Sequence, residues 1–361
     1  MIKVLVTAEL SDYNPYMGYL RTGMGDEVDI TFDIDSFWNS DQYFDIVHIH
    51  WPEHVAGYRM ADPDIANKYE ERLHYWKGRN ASLIITRHNY VPHVDEHNLQ
   101  KSYNQMYDAS YKLCDAIIHI GQPSLQEFED HLEYSKTRNI LINHPNYFVG
   151  TPNEITREEA RKRLGISNSD TLFLTFGILR KLEEEIQLID AFLRTNIKNK
   201  KLLITRSYMR RTRPTKKYPF KRLIHEIKMF RYKRKGIVFD GNDVIDTNDT
   251  QVYVNASDVV ISPRINSLTS GIVYMAFTFG RVVIGPDSGN IGWLLKETGN
   301  PFFQPNDLVS MAQAMEEGVK LSKTDLPQHN LDYVKEYGDI YLLGKQYIAL
   351  FKELINQKDS Q

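Results

Sequence analysis

Short apolar runs closed by polar or turn residues recur along the whole chain. They predict strands at 2–8, 26–32, 45–51, 82–88, 115–120, 139–145, 171–177, 201–207, 236–241, 258–264 and 281–286. Their near-continuous Val, Ile and Leu content predicts burial on both faces, as in a parallel sheet covered by helices. Between them, apolar residues at helical spacing predict helices at 64–80, at 156–165 with Gly165 as its stop, at 306–320 and over about 331–357. Alternation of this kind predicts doubly wound α/β architecture. The series restarts near residue 170, after a stretch (144–155) with Pro, Gly and Asn but no clear period, which reads as a linker. The expected organisation is two Rossmann-like, doubly wound parallel-sheet domains facing a cleft, 1–152 and 153–335. A C-terminal helix, 336–361, is expected to pack back toward the first.

The composition fits this picture. A chain of 361 residues suits two domains, and 42% hydrophobic with 25% charged residues is ordinary for a folded protein. The single cysteine, Cys114 in YKLCDAIIHI, reads as a small core residue, and a lone thiol suits a reducing compartment. MIKVLVTAEL enters a strand at once, without the pattern of a signal peptide. No apolar run reaches the roughly 18 to 20 residues that cross a bilayer. The expected location is the cytoplasm, in solution or peripheral on the inner membrane face.

Charge changes the picture in one place. The net charge is −3, yet Arg206 to Lys235 holds 13 Lys/Arg against one acid, Glu226, giving +12 there and −15 elsewhere. Phe220, Leu223, Ile224, Ile227 and Phe230 recur at helical spacing among Lys221, Arg222, Lys228 and Arg231. Two readings stand: a basic amphipathic helix for an anionic membrane surface or phosphate-bearing acceptor, or a charged helix that covers its own domain. No aromatic-rich nucleic-acid motif accompanies the charge, so no nucleic-acid partner is expected.

The most specific stretch is SPRINSLTSGIVYMAFTFGRVVIGPDSGN, 262–290. A strand ends at Pro263-Arg264, and Thr269-Ser270-Gly271 opens an apolar helix. Free N–H groups and a positive dipole end at such a start suit a diphosphate, and a glycine permits close approach. Taken alone, the loop reads as an ordinary capped helix. Strand, PR, LTSG, apolar helix, FG, VVIGP and GN in that order resemble the donor-site region of GT-B glycosyltransferases. More narrowly, they are similar to bacterial exopolysaccharide-type, family 4-like enzymes. DIVHIHWPE (45–53), TRHNYVPH (86–93), FGILRK (176–181), NPYMGYL (14–20) and FDGNDVIDTNDTQVYVNASDVVISP (239–263) resemble further stretches of that family in the same order. The sequence departs where many retaining members carry two glutamates, here Ser267 and Met275, and where they carry a lysine, here Glu183. Methionine cannot hold a ribose diol.

The resemblance implies a sugar transferred from a nucleotide-diphosphate donor to a glycan or lipid-linked acceptor, in surface polysaccharide synthesis. It implies a diphosphate site of Arg180, Lys181, Arg264, Thr269, Ser270 and Gly271, and a base and ribose site of Gly241, Asn242, Asp243 and Val244. Asp287 and Ser288 would face the sugar. In the first domain titratable groups crowd the strand ends, where open α/β sheets bind ligands. Glu53, His93, Asp95 and Glu96 are the candidates for a catalytic base. His50 and His88 would line the cleft, and His48 reads as structural. His48, His50, Glu53 and His54 do not match a compact zinc arrangement, and no metal or other cofactor is expected. A nucleotide-sugar 2-epimerase and a non-catalytic glycan- or partner-binding protein of the same fold are the alternatives. A dinucleotide-dependent oxidoreductase is disfavoured because SDYNPYMG, not G-x-G-x-x-G, follows the first strand.

Overall fold

Every strand anticipated from the apolar runs is present. The computed structural model describes residues 1–11, 15–57, 64–90, 97–131, 133–135, 137–241 and 244–360. The chain divides into two units, Met1–Pro145 with Tyr337–Gln361, and Asn146–Glu336.

In unit 1, β1 (Ile2–Val6), β2 (Val28–Phe32), β3 (Ile46–Ile49), β4 (Ser82–Arg87), β5 (Ala116–His119) and β6 (Arg138–Leu141) form a parallel sheet in the order β2-β1-β3-β4-β5-β6. The pleat sorts the apolar runs onto two faces. Leu5, Val47, Leu83, Ile85 and Ile117 meet Tyr69, Leu73 and Trp76 of helix Ile65–Gly78 and Met106 of helix His97–Leu113. Val4, Val6, Ile46, Ile84 and Ile118 meet Met17 and Leu20 of helix Tyr16–Met24 and Leu343, Tyr347 and Phe351 of helix Ile340–Asp359. The latter two helices cross backbone to backbone. A Cβ on Gly344 would lie 2.0 Å from the Gly23 carbonyl oxygen, so this crossing admits only glycine.

The single last helix expected over 331–357 is instead two, Leu326–Tyr337 and Ile340–Asp359. Asp339 makes the break by accepting hydrogen bonds from the Tyr341 and Leu342 amides at 3.0 and 2.8 Å, which starts a new helix. The break lies at the boundary between the units.

In unit 2, β7 (Thr171–Ile178), β8 (Lys200–Arg206), β9 (Ile237–Phe239), β10 (Val259–Ile261), β11 (Val282–Pro286) and β12 (Phe302–Phe303) pair in parallel as β12-β11-β10-β7-β8-β9. Only two-residue β12 was not anticipated. The sheet grows outward from β7 in both directions, so the order reverses between β7 and β10. Open α/β sheets bind ligands beyond the strand ends at such a switch point. Helix Arg157–Leu164 enters through a Thr156–Glu159 capping box and stops at left-handed Gly165. Its Arg161 is fully buried: the guanidinium meets Asp258 at 2.8 Å and donates to the Ala256, Ser167 and Asp170 carbonyls. Asp258 also accepts from Arg157 and from the Leu172 amide at 2.7 Å each, fastening the helix to the sheet.

Candidate active site

At the switch point of unit 2, the end of β7 is shaped by a register shift between Thr175 and Ile178 and by Gly177, whose φ of 86° is a conformation other residues rarely adopt. The Gly177 amide donates to Thr205 Oγ1 at 3.0 Å. Beyond it, Leu179 is buried and Arg180 exposed. The Arg180 and Lys181 amides donate to Glu184 Oε2 at 3.1 and 3.4 Å, which turns the chain into helix Leu182–Arg194.

Arg264, leaving β10, reaches back across the switch point and donates from Nη2 to the Ile178 carbonyl at 2.6 Å. Burial pushes its pKa down to about 10, with the nearby positive charge of Arg180 adding to the effect and Glu184 opposing it. It remains charged at neutral pH. Arg211 holds the next carbonyl, Leu179, at 2.5 Å. Two arginines thus fix the loop that carries a third, Arg180.

The loop from Ser262 to Ser270 is pinned by its own hydroxyls and by the loop after β11. Ser267 Oγ donates to the Thr269 carbonyl at 2.8 Å, Ser288 Oγ to the Ile265 carbonyl at 3.1 Å, and Asn290 Nδ2 to Thr269 Oγ1 at 2.9 Å. Ser270 occupies the N-cap position of helix Gly271–Thr278, but its hydroxyl makes no capping bond. It accepts instead from Ser262 Oγ at 3.3 Å, and the first turn holds no acidic residue. The capping expected of Ser270 is therefore absent, and the helix end keeps its positive dipole without a local carboxylate. Of the departures from the family pattern, Met275 is packed in the core and Ser267 is buried.

Other expected residues are placed as follows. Asp287 is ion-paired with Lys296 at 2.6 Å and accepts from Gln304 at 3.1 Å, and these bonds hold its carboxyl below the usual range. Gly241 and Val244 are exposed, with the Gly241 amide donating to Asp240 Oδ1. Asn242, Asp243, His93, Asp95 and Glu96 lie outside the described residues.

The strand ends of unit 1 carry a cluster of buried histidines and aromatic rings, and also the buried guanidinium of Arg87, ion-paired with Glu127 at 2.8 Å. His48 and His50 point to the same side of β3, ring centroids 4.1 Å apart. His50 Nδ1 lies 3.0 Å from His88 Nε2, and His48 Nε2 lies 2.8 Å from Thr86 Oγ1. Trp51 stacks on His88, and Tyr16 packs edge-on against His50 and His88 and tilted against His144. Burial pushes His48 down to about 3 and His144 to about 4. His50 is held well below its ordinary value by burial first, then by the neighbouring histidines. Tyr347, from the C-terminal helix, hydrogen-bonds with Tyr16 and Thr86 and packs by His48. Glu53 is buried and accepts from the Tyr107 hydroxyl at 2.8 Å; burial and that carboxylate keep Tyr107 protonated. Among the described residues no group of three or more His, Cys, Asp or Glu is arranged to hold a metal ion.

The sequence did not point to Arg211, Ser262, Asn290, Tyr107 or Tyr347. Arg211, Asn290, Tyr107 and Tyr347 act through partners distant in sequence, whereas Ser262 acts within the hydroxyl-rich loop 262–270, which alone gave a local signal.

Two α/β units, each built on a six-stranded parallel sheet, make this the GT-B fold. Sucrose-phosphate synthase from Thermosynechococcus elongatus matches with a TM-score of 0.69 at 14% identity, covering 99% of this chain and 100% of that one. HepE of Anabaena in complex with UDP and glucose matches at 0.68 and 12%, covering 98% and 100%. An α,α-trehalose-phosphate synthase (UDP-forming) from Burkholderia vietnamiensis matches at 0.62 and 12%, covering 99% of each. No protein-family model and no curated protein matches the sequence.

Proposed function

We propose that the protein is a glycosyltransferase that takes a sugar from a nucleoside-diphosphate donor held by unit 2 and passes it to a glycan or lipid-linked acceptor, as in surface polysaccharide assembly. One observation carries this reading: Arg180, the buried cation Arg264 and a helix end without side-chain capping meet at the switch point of unit 2. Such a set stabilises an anion that gains charge as it leaves, which suits a diphosphate leaving group. Arginines and amides then supply what a divalent ion would otherwise supply. The fold is shared with sucrose-phosphate and trehalose-phosphate synthases, and HepE is seen with UDP and with UDP-glucose. The LTSG and VVIGP stretches support the polysaccharide assignment. In unit 1, Glu53, which accepts from the Tyr107 hydroxyl, and His93, Asp95 and Glu96, which follow β4 in the sequence, are the candidates to accept the proton of an acceptor hydroxyl.

Calorimetric titration with uridine and guanosine diphosphates tests the reading. One of them is expected to bind, and Arg180→Ala to weaken that binding by about 1.5 to 3 kcal/mol, the range for hydrogen bonds to charged groups. If neither nucleotide binds, the proposal is wrong. If Arg180→Ala binds as well as the parent, Arg180 leaves the site.

A further inference from the structure

The basic segment joining β8 to β9 forms helix Pro219–Arg234, none of whose residues is fully buried. The stripe that faces the domain is Arg222, His225, Met229 and Tyr232, all partly covered, with Met229 and Tyr232 packed on the core beside β9. At about 100° per residue the apolar stripe falls on the opposite side of the helix. There Phe220 is 73% exposed, Leu223 56%, Ile224 52%, Ile227 45% and Phe230 61%. The reading in which this stripe covers its own domain is thereby excluded. Lys221 and Lys228 border the stripe, and Arg231 and Arg234 stand within its C-terminal part. A groove of about 440 Å³ lies beside it, lined by Ile224, Ile227, Lys228, Arg231, Tyr232 and Lys235.

We infer that this face docks on an anionic lipid bilayer, with the apolar stripe entering the headgroup boundary and the flanking Lys and Arg contacting lipid phosphates. Charge selects the occupant. The segment's one acid, Glu226, is ion-paired with Arg213, so the face is positive throughout, while the rest of the chain carries −15 and is repelled by the same surface. A second copy would bring one +12 face against another. A nucleic acid would match the charge but leave five large apolar side chains without a role. At 16 residues and with this many charges the helix lies in the interface rather than across it, and no described helix is long and apolar enough to cross a membrane. Long basic side chains suit the arrangement because their stems stay with the apolar stripe while their heads reach phosphate. The inference does not rest on the transferase reading, because vesicle binding and nucleotide binding are measured separately.

The test is flotation of the full chain with vesicles of equal phosphatidylglycerol and phosphatidylcholine, against phosphatidylcholine alone. Binding is expected only to the anionic vesicles, and it should weaken as salt rises. Replacing Lys221, Lys228, Arg231 and Arg234 together by Gln should lower partitioning at least about 100-fold, given what each basic residue contributes at such a surface. Phe220→Ser with Ile224→Ser and Ile227→Ser should also release the protein. Apart from half-buried Lys228 these side chains are exposed, so both variants should keep the parent's thermal unfolding, measured alongside. No binding to anionic vesicles overturns the inference, as does equal binding to neutral ones or binding that survives either variant. A dimer that the serine variant dissociates, with no vesicle binding, would show that the stripe meets a second copy.

Discussion

The two units share a parallel six-stranded sheet, yet they fill their strand ends differently, since the buried arginine at that end of unit 1, Arg87, is ion-paired with Glu127. Unit 1 gathers His48, His50, His88 and His144 with Tyr16 and Trp51, a set in which burial keeps His48, His50 and His144 uncharged. At the carboxyl ends of its strands unit 2 gathers arginines that are each given an oxygen partner, Arg264 on Ile178 and Arg211 on Leu179; at the amino ends of the same sheet Arg161 is likewise held by Asp258. A weakly basic group yields to burial by losing its proton, whereas guanidinium retains its charge and requires acceptors. One sheet end thus offers polar, uncharged rings suited to hydroxyl-rich ligands, and the other a fixed positive field suited to phosphate.

The largest effect that separates the units is acid lability. His48 is held at about 3 and His119 and His144 at about 4, against 6.5 in the unfolded chain, and all three lie in unit 1. The unfolded chain therefore takes up these protons first. Stability is full above about pH 6.5 and falls as pH drops toward 4, by about 1.4 kcal/mol per pH unit for each histidine and about 4 for the three. Trp38, Trp51 and Trp76 report on unit 1 and Trp293 on unit 2. Urea unfolding of Trp293→Phe between pH 7 and 4.5 should show the loss. A unit 1 midpoint that stays put over that range would contradict the neutral state of the histidines.

Unit 2 depends in the same way on the partners of its arginines. Asp258→Ala leaves fully buried Arg161 without its carboxylate and should cost about 3 to 5 kcal/mol, the range for one broken half of a buried pair. Replacing Arg161 and Asp258 together with apolar residues should cost less than Asp258→Ala alone. Denaturation followed at Trp293 measures both. If the double replacement is the more damaging, the pair stabilises the unit outright, and unit 2's charge is less of a burden than the comparison holds.

How much of this was legible beforehand follows from what each feature depends on. The strands were legible because burial on both sheet faces demands an unbroken apolar run, as in β3, β4 and β5, whereas β12 is too short to show a pattern. The break at Asp339 was readable as a cap after Gly338, but the apolar positions on either side hid it. The switch-point loop was placed correctly because Gly, Ser and Thr cluster there. The arginine bridge to Ile178 was not, since it joins residues 86 positions apart in the chain. The amphipathic stripe of helix Pro219–Arg234 was visible too. Which side of that helix faces the domain was not, because a period fixes the angle between residues and not the direction of the core.

The smallest effect concerns Arg264, whose role is to hold the β7 end rather than to supply the main contact. In Arg264→Met the Ile178 carbonyl loses a charged donor, and the field around Arg180 loses the neighbouring charge that Arg180 itself opposes. These changes act in opposite directions on a bound diphosphate. Loss of the bridge lets the Arg180 loop shift, while Arg180 sheds some repulsion and the ligand sheds some attraction. The expected net is a loss of about 1 to 2 kcal/mol in nucleoside diphosphate affinity, smaller than for Arg180→Ala. Arg264→Lys keeps the charge but not the reach of the planar fork, so it should recover only part of the loss. Calorimetry on the three variants orders them. Should Arg264→Lys bind like the parent, charge alone matters at this position and the bridge to Ile178 does not position the site.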